Sequence, residues 1–474
     1  MTIRRYAACK VFAGVVAAAL TTCICTRSQA APAPVDPGVR GGAPGAGAPL
    51  EGLTADETAF FQDGLARFVE IESVTGGTNN GLGARFNSNQ CLSCHSQPSA
   101  GGTSPATNPQ IAIATLDGAR NVVPWFITQN GPIREARFKR NPNGTNDGGV
   151  HNLFVITGRG DAAGCNIAQP NFLTAGDPLT GQGGNPNIIF RIPTPVFGAG
   201  LIEAIPDSAI LTNMNADAHL KKPLGISGHP NAHLSGNANR NANDGTITRF
   251  GWKAQNKSLL LFTGEAYNVE MGVTNQLFPQ ERDETPGCVF NATPEDTLNF
   301  TPTSTTTPNP NTAVISDIEA FADFMRMLAP PTPAPDTPST VNGRAVFAMV
   351  GCAICHTPSF TTGKAIASGS SKSPSGPLSN QPVNLFSDLL VHHMGKVLAD
   401  GITQGGAGPD EFRTAPLWGV GQRIFFLHDG RTTNLIKAIQ AHRSPGSEAN
   451  KIIERFNRLS TKQQQDVINF MRSL

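Results

Sequence analysis

The 474-residue chain is predicted to be mainly α-helical, with extensive loops and a few short strands, in two similar units of which the first carries a long insertion. Three observations predict this. The run Cys-x-x-Cys-His occurs twice, as Cys91-Leu92-Ser93-Cys94-His95 and Cys352-Ala353-Ile354-Cys355-His356. Each copy lies near segments with helix-capping signals and helical apolar spacing. The 50 glycines and 37 prolines exceed the roughly 12% share of an average chain, which limits long regular elements.

The two runs carry the chemistry. Cys-x-x-Cys-His is the attachment signature of a c-type haem. The thiols add across the haem vinyl groups, and the next imidazole reaches the iron as proximal ligand. A redox dithiol or half a zinc site needs no histidine directly after its second cysteine. Two covalently bound haem c groups are therefore expected, in two c-type cytochrome domains, with His95 and His356 on the irons.

The compartment agrees. Arg4, Arg5 and Lys10 precede the uncharged apolar run Val11 to Leu20, and Ser28-Gln29-Ala30 offers small residues for cleavage. Residues 1–30 form a signal peptide too short to span a bilayer. A lipoprotein signal around Cys23 fits less well, because threonine precedes that cysteine. The expected location is the periplasm, with secretion as the alternative, and no transmembrane segment remains in the mature chain. A net charge of +1 calls for no nucleic acid and no anionic membrane surface. Of nine cysteines, three leave with the signal and four hold haem. Cys165 and Cys288 remain, and an oxidising compartment favours a disulfide over two separate buried thiols.

The elements follow in chain order. Residues 31–50 are rich in Ala, Pro and Gly and are expected to be a disordered lead-in. The first cytochrome unit spans 51–291. Thr54-Ala55-Asp56-Glu57 is a capping box opening a helix to about Glu72, with Phe60, Leu65 and Phe68 on its apolar stripe. The insertion, about 101–243, has only short apolar runs (Ile111 to Ala114, Leu153 to Ile156, Ile188 to Ile192), so short strands or loops are expected there. A linker over 292–312 leads to a connecting helix within 313–329, opened by Ser316-Asp317-Ile318-Glu319. A Pro-rich linker over 330–340 precedes the second cytochrome unit, 341–474. Val341 to Val350 should form a helix running into the second haem motif. Ser460 and Gln463 make a capping box for a last helix, with Val467, Ile468 and Met471 buried.

Four stretches resemble the di-haem cytochrome c peroxidase superfamily, and within it the di-haem oxidoreductases, also labelled thiol oxidoreductases. They are NSNQCLSCHSQPSAGG from Asn87, FGAGLIEAIP from Phe197, the Arg249 to Thr274 segment with FGWKAQ and EMG, and the Phe412 to His442 segment with FRTAPLWGVG and LHDG. The resemblance implies one reacting haem, on His95, and one electron-transferring haem, on His356. In the peroxidases a methionine sits fourteen residues after the His of HDG, and the methylamine-linked relative has tyrosine there. Fourteen residues after His428 stands His442, so the resemblance implies bis-histidine ligation by His356 and His442, which lowers the reduction potential. Met394 is the alternate ligand. His428 is taken as structural or supporting, and His392 and His393 as surface residues near the haem edge.

Glu270 is similar to the distal glutamate of the peroxidases, where a carboxylate takes a proton from peroxide and returns one to the leaving oxygen; a solvated helix glutamate is the plain alternative. Glu203 is a second candidate for that pocket. Trp252 occupies the place of a tryptophan between the haems, although a buried aromatic would look the same. Arg413 is a candidate for a haem propionate. The 175 residues from His95 to Glu270 exceed the interval in short peroxidases and could reshape the pocket. A calcium ion, seen in relatives, finds no dense acidic loop. The expected activity is a peroxidase-like oxidoreductase served by a small-molecule oxidant and a small donor protein of cytochrome or cupredoxin type. The alternatives are an oxygenase acting on an apolar substrate, as in the haem rubber oxygenases, and a non-catalytic electron carrier. Thiol oxidation has no support, since no Cys-x-x-Cys remains beyond the haem motifs.

Overall fold

Two helix crossings organise the chain, and each is set by a glycine. The computed structural model describes residues 33–172, 187–232, 247–283, 285–298, 315–368 and 373–474. The expected signal peptide and most of the expected 292–312 linker lie outside them. The helices that matter here are α1 (Ala55–Val69), α2 (Leu259–Met271), α3 (Asp317–Met327), α4 (Pro338–Val350), α5 (Leu435–Ala441) and α6 (Thr461–Ser473).

On α1, Gly64 meets α3 so closely that a Cβ would overlap the Ala320 carbonyl oxygen. On α4, Gly343 meets α6, and a Cβ would overlap the Asp466 carbonyl oxygen. Four residues further along each helix, one turn on the same face, stands a phenylalanine. Phe68 packs on Phe324 at 4.9 Å and on His95 at 6.1 Å. Phe347 packs on Phe470 at 5.5 Å and on His356 at 6.2 Å. The two units thus repeat one device: a glycine brings two backbones together, and the aromatic pair beside it backs the imidazole of the Cys-x-x-Cys-His turn. The helix expected to connect the units, α3, is the packing partner of α1, which places it with the first unit.

Local signals account for most helix ends. Thr54 and Ser460 form the capping boxes expected of them. Thr337, one residue before Pro338, caps α4 and starts it earlier than the apolar pattern indicates. Ser316 precedes α3 without a side-chain cap; instead Asp296 accepts hydrogen bonds from Asp317 N at 2.7 Å and Ile318 N at 3.0 Å. A carboxylate from a distant segment satisfies the free donors at that end.

Among its described residues the insertion has the short strands and loops expected, but also three helices, Ala199–Glu203, Asp207–Asn215 and Ala218–Leu224, which its short apolar runs do not announce. Strands β1 (Glu135–Phe138), β2 (Val150–His151) and β3 (Ile188–Arg191) form an antiparallel sheet in the order β2-β1-β3. Ile111 to Ala114, expected as strand or loop, lies in a helical turn, Gln110–Ile113; Asn108 Oδ1 accepts Gln110 N at 2.9 Å and starts it. Cys165 and Cys288 are joined by a disulfide with a Cα–Cα distance of 4.6 Å. It ties the insertion to the chain after α2.

The lead-in departs from expectation. No helix or regular strand forms over 33–50, in keeping with its composition, but the segment is docked. Asp36 pairs with Arg472 on α6, with Nε–Oδ1 and Nη2–Oδ2 both at 2.7 Å, and accepts Leu435 N at 2.6 Å. Burial would raise the Asp36 carboxyl, but Arg472 outweighs it and holds it below the usual range. Arg40 adds bonds to the Ser473, Thr332 and Gly421 carbonyls, so long-range contacts order a segment whose local sequence prefers nothing.

Gly64→Ala and Gly343→Ala are each expected to lower stability by about 1–3 kcal/mol, the range for overpacking. Guanidinium denaturation of the haem-loaded protein checks this; unchanged midpoints in both variants would show that the crossings do not hold the units together.

Candidate functional site: two imidazole-bearing cavities

The first motif folds as one helical turn, Cys91–Cys94, with His95 N bonded to Cys91 O at 3.1 Å. It opens on a cavity of about 180 Å³. His95 Nδ1 bonds Gly102 O at 2.9 Å. That contact makes Nδ1 a donor, and the Thr194 backbone also bonds the ring. Burial lowers the His95 pKa, so the ring is neutral. Burial also raises both thiols, Cys94 to about 12.

Glu270, in the last turn of α2, lines the same cavity. Asn87 Nδ2 donates to its Oε2 at 2.7 Å. Sequence reasoning missed an ion pair nearby. Glu135 and Arg137, both on β1, line the cavity too, with Arg137 Nε on Glu135 Oε1 at 2.5 Å. Burial, then the Glu135 charge, hold Glu270 well above the usual carboxylate range. Burial also opposes ionisation of Glu135, but Arg137 outweighs it and holds that carboxyl low. Among the described residues, His95 is the one histidine lining this cavity.

The second motif opens on a cavity of about 210 Å³ lined by Cys352, Cys355, His356, His392, Met394, His428 and His442. His356 Nδ1 bonds Phe386 O at 3.0 Å, and His442 Nδ1 bonds Ala438 O at 2.8 Å. Both rings therefore keep Nε2 free. Burial lowers His356 to about 4, with His442 close enough to contribute, and burial lowers His442 as well. Met394 lies in an apolar cluster with Trp252 and Phe412.

His392, expected at the surface, is buried between two carboxylates: Nε2 to Asp388 Oδ2 at 2.9 Å and Nδ1 to Glu448 Oε2 at 2.7 Å. Burial disfavours the imidazolium, but the Cys355 sulfur and Asp388 outweigh it and raise the pKa well above the usual value. A thioether at Cys355 would leave the two carboxylates to do this. His393, by contrast, is exposed and pairs with Asp410 at 3.0 Å.

Trp252 lines both cavities, its Nε1 donating to Ile192 O at 2.9 Å. His428 stacks on Phe412 at 4.3 Å and meets Trp252 edge-on at 6.4 Å. Glu203 lies elsewhere. It accepts Leu259 N at 2.7 Å and pairs with Arg326 at 2.7 Å, so it ties the starting end of α2 to α3 and does not line the cavity.

The residues fit haem in both places. Each cavity offers two thiols on one turn and a neutral imidazole. In the second cavity, burial lowers Arg413 and Arg423 to about 10. They repel each other, and among the described residues neither pairs with a carboxylate. Half-buried guanidiniums without carboxylate counter-ions suit propionates. Carboxylates also gather beside the Cys91 thiol: oxygens of Glu70, Glu72 and Asp317 lie within 4.8 Å of one another, assembled from two segments and not from one acidic loop. Burial raises Glu70 to about 9 and Glu72 to about 7.

A family model described as "Di-haem oxidoreductase, putative peroxidase" matches residues 185–474, more than half of the chain. The chain belongs to the di-haem oxidoreductase family. Two haems follow from that membership. The match takes in Trp252, Glu270, the second motif and His442; the first motif precedes it. Solved structures similar to this di-haem oxidoreductase include the diheme peroxidase BthA from Burkholderia thailandensis, at 15% identity over 60% of this chain and 86% of that one, TM-score 0.27. A MauG-like protein associated with microbial copper homeostasis shows 14% identity over 36% and 55%, TM-score 0.23. Hydrazine synthase from Kuenenia stuttgartiensis shows 20% identity over 33% and 55%, TM-score 0.21. The chain thus spans about half the length of the last two. No curated protein matches its sequence. Among the described residues, no helix is long and apolar enough to cross a membrane.

Replacing His392 by Gln strands two buried carboxylates and is expected to cost about 3–5 kcal/mol. The folded imidazole has the higher pKa, so its contribution is complete below the unfolded value of about 6.5 and fades as pH rises through the folded one. Denaturation of the haem-loaded variant at pH 6 checks the cost; a wild-type midpoint there contradicts it.

Proposed function

We propose that this di-haem oxidoreductase is a periplasmic peroxidase that reduces peroxide at the His95 haem. Electrons would enter through the His356 haem from a small cytochrome or cupredoxin. The observation that carries this reading is that Glu270 shares a cavity with His95, and among the described residues no second imidazole lines it.

Haem supplies an iron that binds peroxide and stores oxidising equivalents. The chain supplies the rest. Gly102 O holds the His95 ring at Nδ1. Asn87 orients the Glu270 carboxyl, which exchanges protons with the substrate oxygens. Trp252, on the wall of both cavities, offers an indole between donor and acceptor. His442 would hold the second haem iron together with His356. Its free Nε2 and its proximity to His356 support it over Met394, which packs in an apolar cluster.

Electron paramagnetic resonance of the oxidised protein is expected to show one high-spin and one low-spin ferric haem. Two low-spin signals would leave an electron carrier. Glu270→Gln should keep both haems and lose about 10²–10⁴-fold in peroxide turnover with a reduced donor; wild-type turnover removes Glu270 from the reaction. His442→Ala should abolish the low-spin signal, while Met394→Leu should leave it in place. The reverse pattern makes Met394 the ligand.

A further inference from the structure

Besides Glu270, the first cavity is lined by Glu135 and by Glu265, which accepts a hydrogen bond from Asn256. Glu135 and Arg137 stand two residues apart on β1, where alternate side chains share a face. Arg137 Nε therefore reaches Glu135 Oε1 at 2.5 Å, while its Nη1 is anchored on Gly148 O at 2.9 Å. Arg191, opposite Glu135 on β3, is engaged by Asp400 at 2.7 Å. Arg137 is left as the direct counter-ion of Glu135. The Glu135 carboxyl is hydrogen-bonded to that of Glu270.

Two carboxyl groups can share a hydrogen bond only if one carries a proton. The counter-ion decides which. Arg137 favours the ionised form of Glu135, so the proton resides on Glu270, consistent with the opposite displacement of the two pKa values. This changes what Glu270 can do. A glutamic acid already protonated cannot accept a proton from peroxide, and a lone buried glutamate would resist ionising.

We propose, on the peroxidase reading above, that Glu135 and Glu270 work as one carboxyl pair holding a single proton at rest, with Glu135 the positioning residue that keeps this proton on Glu270 and lets the pair accept a second. Peroxide gives one proton to the pair, which then holds two. The O–O bond breaks, its electron pair goes to the departing oxygen, and Glu270 returns a proton to that oxygen, which leaves as water. The pair is back to one proton. The other oxygen takes two electrons from the donor protein and two protons from solvent and becomes the second water.

Infrared spectra of the haem-loaded enzyme test this without relying on turnover. The wild-type minus Glu270→Gln difference should show the carbonyl band of a protonated carboxylic acid, shifted down in D₂O. Glu135→Gln should lose that same band, because Glu270 then becomes the only counter-ion for Arg137 in the pair and ionises. Glu135→Asp should retain it. Peroxide turnover should fall about 10²-fold in Glu135→Gln, at the low end of general acid–base effects, and recover in part in Glu135→Asp. Absence of the band in the wild type, its persistence in Glu135→Gln, or undiminished turnover in that variant overturns the proposal. A wild type that shows the band pattern but turns over no peroxide overturns the peroxidase reading and leaves the shared proton standing.

Discussion

Backbone contact between paired helices is the constraint from which the rest follows. Gly64 against Ala320 and Gly343 against Asp466 allow separations that any side chain would forbid. Close approach brings Phe68 onto Phe324 and Phe347 onto Phe470. Those aromatic pairs back His95 and His356, so the direction of each imidazole is inherited from a helix crossing. The Nδ1 contacts to Gly102 O and Phe386 O then fix the ring. A small domain with few long elements can in this way aim a metal ligand with the rigidity of a larger core.

On that shared frame the two cavities diverge through charge. The first gathers Glu135 and Glu270, carboxyls able to hold and release protons, beside the fixed charge of Arg137. The second gathers neutral imidazoles, an imidazolium at His392 clamped by Asp388 and Glu448, and the guanidiniums of Arg413 and Arg423. The proton-handling carboxyls belong to the first cavity alone, and Trp252 stands on the wall of each.

Much of this was legible in sequence where the determinant is local. The haem motifs, the capping boxes at Thr54 and Ser460, and the spare cysteine pair are short-range or countable. What escaped depends on partners far apart in the chain. Asp36 is ordered by Arg472, and Asp296 caps α3, with no local pattern to announce either. Glu135 and Arg137 sit on a short strand inside a Gly/Asn-rich stretch, where alternation is too brief to mark a buried face, and Glu270 lies 135 residues beyond Glu135. His392 looked solvated because its two carboxylate partners lie on other segments or one turn back. Glu203 was misplaced because a motif resemblance gives proximity in sequence, while its actual partners, Leu259 N and Arg326, come from α2 and α3.

The bare guanidiniums of Arg413 and Arg423 have one more consequence. A polypeptide that closed around them before receiving porphyrin would have to sequester two mutually repelling cations with nothing to neutralise them. Compaction of the second unit is thus thermodynamically linked to arrival of an anionic pigment. Until that pigment arrives, the two guanidiniums are least costly where water reaches them.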